Sequence, residues 1–209
     1  PASGTLHLTG ADFSATEGNT ALLLYDRLFD VIKTMSSTAT EAVTGVPTRY
    51  QSTTPTDDDY ARDNFVFTEC SIGLSATSHN WTVCQYTDQD GNAGASLPSL
   101  TGFQASLGQY DHSPNYWFAP LASGDTGIKN LTQMQCSASV TGGINFVIGH
   151  PLGVMAFPQL NDLIPFDWLT VRNQAPRIFN DACLVLTQLR KPNANTVSFA
   201  GSIQVVNAP

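Results

Sequence analysis

The chain has 209 residues, of which 42% are hydrophobic and 12% charged, about half the charged share of an ordinary soluble domain. It is long enough to bury a core without disulfide staples and too apolar to stay disordered. A net charge of −8 with only nine cations, of which just Arg190 and Lys191 are adjacent, speaks against nucleic acid as a partner, because phosphates are neutralised by clustered Lys and Arg.

Residues 5–9 alternate in polarity and read as an edge strand, or as part of an N-terminal arm over residues 1–20. Residues 20–35 carry a helical pattern: Leu24, Leu28, Val31, Ile32 and Met35 form a stripe, with Asp26, Arg27, Asp30 and Lys33 away from it, and Thr20 can act as N-cap. The portion 22–29 can also be read as a strand. Residues 36–63 are a long polar stretch containing Pro47, Pro55, Asp57, Asp58 and Asp59; loops of that length are usually functional or arms. From residue 65 onward the signal is β. Residues 65–74 place Val66, Cys70, Ile72 and Leu74 on one face, and 80–87 form a second strand rich in Trp, Thr, Val and Tyr. Residues 88–94 are a turn, since Asp-Gly and Asn supply positive φ cheaply. A short aromatic strand follows at 116–120, and a second turn at 123–127 leads into 128–140. The glycine turn 141–143 predicts a hairpin between 128–140 and 144–150. Residues 182–189 are an almost continuous apolar run, as in a central strand buried on both faces. Residues 197–206 alternate, with Val197, Phe199, Ile203 and Val205 on one face.

Many short strands separated by Gly, Asn, Asp and Pro turns predict an all-β fold. The expected form is a jelly-roll-like β-sandwich with one short N-terminal helix and extended arms and loops. Residues 21–209 are expected to form a single domain. Within it, 151–177 is an irregular, apolar excursion punctuated by Pro158 and Pro165. No apolar run reaches the roughly 18 residues of a membrane-spanning helix, so no membrane partner is expected.

Motifs for chemistry are sparse. There is no G-x-S-x-G elbow. His7, His79, His112 and His150 are isolated, without the short spacing of metal ligands. The Asp57, Asp58, Asp59 run and the Asp88 to Asn92 segment could attract calcium, but a solvated loop and a hairpin turn explain them as well. Glu17, Glu41 and Glu69 are the only glutamates, and none has an identifiable catalytic partner. Cys70, Cys84, Cys136 and Cys183 contain no C-x-x-C pair and read as buried small hydrophobes, with disulfides as the alternative. The aromatic side chains Trp81, Tyr86, Tyr110, Tyr116, Trp117 and Trp168 are candidate sugar-stacking platforms or core residues. The expectation is therefore no catalytic residues, no cofactor and no metal.

Several stretches occur in the order found in one group of phage proteins. They are Leu24-Tyr-Asp-Arg-Leu28, Pro47-Thr-Arg-Tyr50, Tyr86-Thr-Asp-Gln-Asp-Gly-Asn-Ala-Gly94, Gly124-Asp-Thr-Gly-Ile-Lys129, Ser137-Ala-Ser139, Gly143-Ile-Asn-Phe-Val147 and Asn180-Asp-Ala-Cys-Leu184. Each is mostly turn chemistry; their ordered combination resembles tailed-bacteriophage head proteins of the capsid-decoration, or cement, type. The resemblance implies a jelly-roll-like virion protein, made in the bacterial cytoplasm, that binds the major capsid protein on the head surface as a homotrimer. It supplies no catalytic residue. The alternative reading is a receptor- or glycan-binding module of a tail fibre or capsid adhesin. The arms expected to reach neighbours are residues 1–16 and 53–63. The apolar contact surface is expected at Phe157, Leu163, Phe166 and Trp168, since an apolar excursion must bury itself somewhere.

Overall fold

A computed structural model describes residues 5–75, 77, 79–97, 118–172, 175–189 and 197–208. Strands make up 56% and helix 2%, so the fold is an all-β sandwich. In chain order the elements are β1 (Thr5–Ala15), β2 (Thr20–Thr34), β3 (Glu41–Ala42), β4 (Phe65–Ile72), β5 (Trp81–Asp88), β6 (Ala93–Ser96) and β7 (Ile128–Cys136). They continue with β8 (Gly143–Phe157), β9 (Ile164–Asp167), α1 (Trp168–Arg172), β10 (Arg177–Ile178), β11 (Leu184–Leu189) and β12 (Phe199–Ala208). The aromatic strand expected at 116–120 falls partly outside the described residues, and its described part is irregular. The chain divides into two compact units, Pro1–Asp26 with Pro151–Pro209, and Arg27–His150.

In the first unit, β1 is a central strand. It pairs antiparallel with β12 along its whole length, and on its other side with β10 and β9. The expected N-terminal arm is thus built into a sheet from Thr5 onward. Its alternation of apolar Leu6 and Leu8 with polar neighbours fits a strand with partners on both sides as well as it fits an edge. The first part of β2 pairs with β11, from Leu184 opposite Asp26 to Leu189 opposite Ala21. Leu8, Ala11, Phe13 and Ala15 of β1 meet Leu22, Leu24, Leu152, Met155, Phe157 and Trp168 in one core. Each large side chain buried there contributes about 1.5–3 kcal/mol. Gly201 allows β12 to approach β1 closely, because a Cβ there would lie 1.9 Å from the Asp12 carbonyl oxygen.

The helix expected over residues 20–35 is corrected: the segment is the strand β2. Leu22 to Asp26 are buried on both faces, which removes the period-2 alternation and leaves apolar residues at spacings that mimic a helix. The structure also buries Lys33, placed by the helical pattern on the polar side, and exposes Ile32. The only helix among the described residues is the five-residue α1. Nor is 151–177 an excursion. Pro151 to Phe157 complete β8, and β9 and α1 follow it into the first unit's core.

In the second unit, β4 pairs with the first half of β8, from Phe65 opposite Gly149 to Ile72 opposite Gly143. A separate sheet has the order β3-β7-β5-β6. The hairpin expected between 128–140 and 144–150 does not form, because β7 pairs with β3 and β5 whereas β8 pairs with β4. Gly142 makes the crossing between sheets possible: its φ is 120°, and a Cβ there would lie 2.6 Å from the Gly73 carbonyl oxygen. Trp81 of β5 sits edge-on to Phe146 of β8, with ring centroids 4.7 Å apart. The turn expected over 88–94 forms and joins β5 to β6, which begins within it at Ala93.

Candidate interaction surface

The outer strands of the first unit carry four of its exposed apolar groups. Among the described residues β12 pairs only with β1, and β11 only with β2. Each therefore presents a row of backbone N–H and C=O groups with no strand partner among the described residues. On β12, Val205 is 53% and Val206 47% exposed. On β11, Leu184 and Leu186 are about two-fifths exposed, although Leu186 lies opposite the buried Leu24. The run 182–189 was expected as a central strand; its apolar face instead continues past the covered core and ends at an edge. The buried carboxylate of Asp26 fixes the entry to β11 by accepting the Cys183 N–H at 2.8 Å. Between Val197 and Pro209 the sequence has no charged residue.

The four residues expected to form one contact surface separate. Phe157 and Trp168 are 1% and 0% exposed, and Phe166 packs against the same core. Trp168 donates its indole N–H to the Leu152 carbonyl at 2.6 Å and meets Phe166 edge-on. Only Leu163 faces solvent, together with Leu160, Leu169 and Val171. Burial of Phe157 and Trp168 inside their own unit removes them from any contact surface. The exposed β12 valines escaped the sequence reading because Val205 shares its alternation with the core-packed Phe199 and Ile203. The signal that could have found them is the uncharged, Pro-free length of the strand.

The long polar stretch is no extended arm over 53–63. The backbone N–H of Ser52 donates to the Asp59 carbonyl and that of Ala61 to the Ser52 carbonyl, and the Asp59 carboxylate accepts the N–H groups of Tyr50 and Gln51. Asn64 donates from its side-chain amide to the carbonyls of Tyr50 and Ile128, and its oxygen contacts His150 Nδ1 at 2.8 Å. His150 stacks on Tyr50 with ring centroids 3.7 Å apart. These residues position the loop.

The two turns of the second unit are knotted together. Gln89 Oε1 accepts the N–H groups of Thr126 and Gly127 at 3.0 and 3.1 Å. Tyr86 donates its hydroxyl to Asp125 and accepts the Ala122 N–H, and burial pushes its phenol well above the ordinary value. Burial of Asp88 opposes its ionisation. Hydrogen bonds from the Asn92 side chain and from the N–H groups of Asn92, Asp90 and Gly91 outweigh it and hold the carboxyl below the usual range. This is the pattern of a turn stabilised by its own side chain. Burial pushes the Cys84 thiol up to about 12, so it is not a thiolate at neutral pH. Cys84 and Cys136 are buried, as expected, while Cys183 is exposed. Of the aromatic candidates for sugar stacking, Trp81, Tyr86 and Trp168 are buried; Tyr110, Tyr116 and Trp117 lie outside the described residues, as does His112.

No protein-family profile, curated protein or solved structure matches the chain.

Proposed function

We propose that this chain is a non-enzymatic structural protein of a tailed-phage particle that binds the outside of the head and stabilises the shell. The observation that carries the reading is the exposed, charge-poor apolar surface on the outer strands of the first unit, where Val205, Val206, Leu184 and Leu186 lie beside backbone edges that no described strand pairs with. Such a surface suits a protein partner, because strand addition draws affinity from main-chain hydrogen bonds and specificity from alternate side chains. The ordered motifs add to it. Tyr86 to Gly94 and Gly124 to Lys129, which carry much of the likeness to head proteins, form the one hydrogen-bonded knot just described. The jelly-roll connectivity implied by that likeness belongs to the same proposal.

The mechanism needs no bond chemistry. A protein that binds the assembled shell and not its dissociated subunits stabilises the shell by mass action, in proportion to the logarithm of its free concentration over its dissociation constant. The test is to add the purified chain to heads of the phage that encodes it, prepared without it. Co-sedimentation at saturable stoichiometry and a higher temperature of DNA release are expected. Absence of co-sedimentation at micromolar chain overturns the proposal.

A further inference from the structure

We infer that two copies of this chain associate by pairing their β12 strands edge to edge, antiparallel, about a two-fold axis. The inference does not need the phage reading and rests on one strand; it gives the β12 edge to a second copy and leaves the β11 edge, with Leu184 and Leu186, for the head contact. β12 runs ten residues, Phe199–Ala208, and is hydrogen-bonded on one side only among the described residues. Natural sheets usually protect so long an edge with Lys, inward-pointing charges, proline or a bulge in the edge strand. β12 has no charge and no proline, and the register irregularity of the pair lies on β1, between Leu8 and Gly10.

What fits this edge follows from its geometry and charge. Its outward N–H and C=O groups can be satisfied in register only by another extended strand. In a two-fold pairing each strand faces its own copy, so a charge near the axis would lie close to the same charge on the partner copy, which is unfavourable. The chain as a whole carries −8, and two copies repel each other wherever their acidic surfaces meet. The uncharged β12 edge is where a second copy can approach at least electrostatic penalty. Val205 and Val206, on opposite faces of the strand and both about half exposed, then gain cover on both sides of the joined sheet. An isologous pair closes at two copies, so the inferred species is a dimer and not the trimer that the resemblance implies.

The test uses the full chain in sedimentation-equilibrium runs over a concentration series. Mass is expected to rise from 22.4 kDa to twice that value, and added salt should tighten the dimer by screening the repulsion. The double substitution Val205→Lys and Val206→Lys places four cations in the pairing, which should weaken the dimer at least about tenfold. Both valines are half exposed, so the variant's melting temperature, measured at a concentration where the parent is monomeric, should match the parent's. The control Ile72→Lys, at an exposed position of the other unit, should leave the mass unchanged. Hydrogen exchange of the unmodified chain gives a second readout, in which the Phe199–Ala208 amides should slow as concentration rises. A chain that stays monomeric, a trimer, or a dimer indifferent to the double substitution overturns the inference. Head binding plays no part in these measurements, so the failure of either proposal is visible without the other.

Discussion

The two units place their polar groups differently. The second unit turns them inward: Lys33 is fully buried against Glu41, Asn64 ties two carbonyls, and Gln89 ties two amides. Its long loops are ordered by these bonds. The first unit is held by an aliphatic and aromatic core and leaves further aliphatic side chains on its outer strands. The second unit carries eleven of the chain's 17 acidic residues; the first carries six. Buried polar networks of the former kind specify one loop conformation, whereas exposed apolar edges of the latter kind are surfaces for pairing. Buried polar order belongs to the second unit, and the exposed apolar edges belong to the first.

The largest expected effect separates core from surface within the first unit. Trp168→Ala removes a fully buried indole and leaves the Leu152 carbonyl without its donor. Urea denaturation should show a loss of about 3–5 kcal/mol. Leu163→Ala, at a position 63% exposed, should change stability by less than about 0.5 kcal/mol. Equal effects at the two positions would mean that the excursion read from the sequence is nearer the truth than the packed core.

A smaller effect probes the second unit. The Lys33 ammonium is buried, and Glu41 accepts its hydrogen bond at 2.6 Å. Glu41→Ala leaves that ammonium uncompensated. The Glu41 side chain is itself 40% exposed, so water can partly replace it, and the loss should be about 2 kcal/mol, below the usual range for a fully buried pair. Adding Lys33→Met to that variant should recover most of the loss in the same denaturation experiment, because an apolar chain of similar length needs no partner. If Lys33→Met brings no recovery, the ion pair is not what orders this part of the second unit.

The strand-rich class was legible because turn residues punctuate the chain; Asp88 to Gly94 is a hairpin in sequence and structure alike. The identity of β2 was not. Leu22, Leu23, Leu24 and Tyr25 are all buried, and a strand covered on both faces has no periodic signature to set against a helix. Strand partners were equally hidden. Residues 141–143 look like a hairpin turn, yet Gly142 carries the chain from one sheet to another, and only the close approach of the Gly73 carbonyl reveals it. The exposed edge was missed for a related reason. Residues 182–189 have the composition of a central strand, and the number of neighbours a strand acquires is decided by parts of the chain far away in sequence.

The smallest effect is a pH dependence that only the second unit's turn should show. The Asp88 carboxyl is held below its ordinary value by amide donors from Asn92, Asp90 and Gly91, against the opposing effect of burial. A group whose folded value is depressed stabilises the fold above its unfolded value, near 4, and loses that contribution as pH falls through the folded value. Asp88→Asn keeps an acceptor but removes the charge, so it should lower the melting temperature at neutral pH. Between about pH 6 and about pH 3 the variant should then lose less stability than the parent, since that ionisation is gone. The outer strands of the first unit contain no carboxylate between Val197 and Pro209, so the β12 dimer should not weaken through its own strand over the same interval. Acidification towards the isoelectric point near pH 4.6 should tighten it, as protonation lowers the repulsion between two chains of charge −8; below that pH the chains turn cationic and repel again. A turn that loosens with acid, together with an edge that tightens down to the isoelectric point, is the signature of polar order in one unit and apolar pairing in the other. Parallel acid responses in thermal melts and sedimentation would remove the distinction.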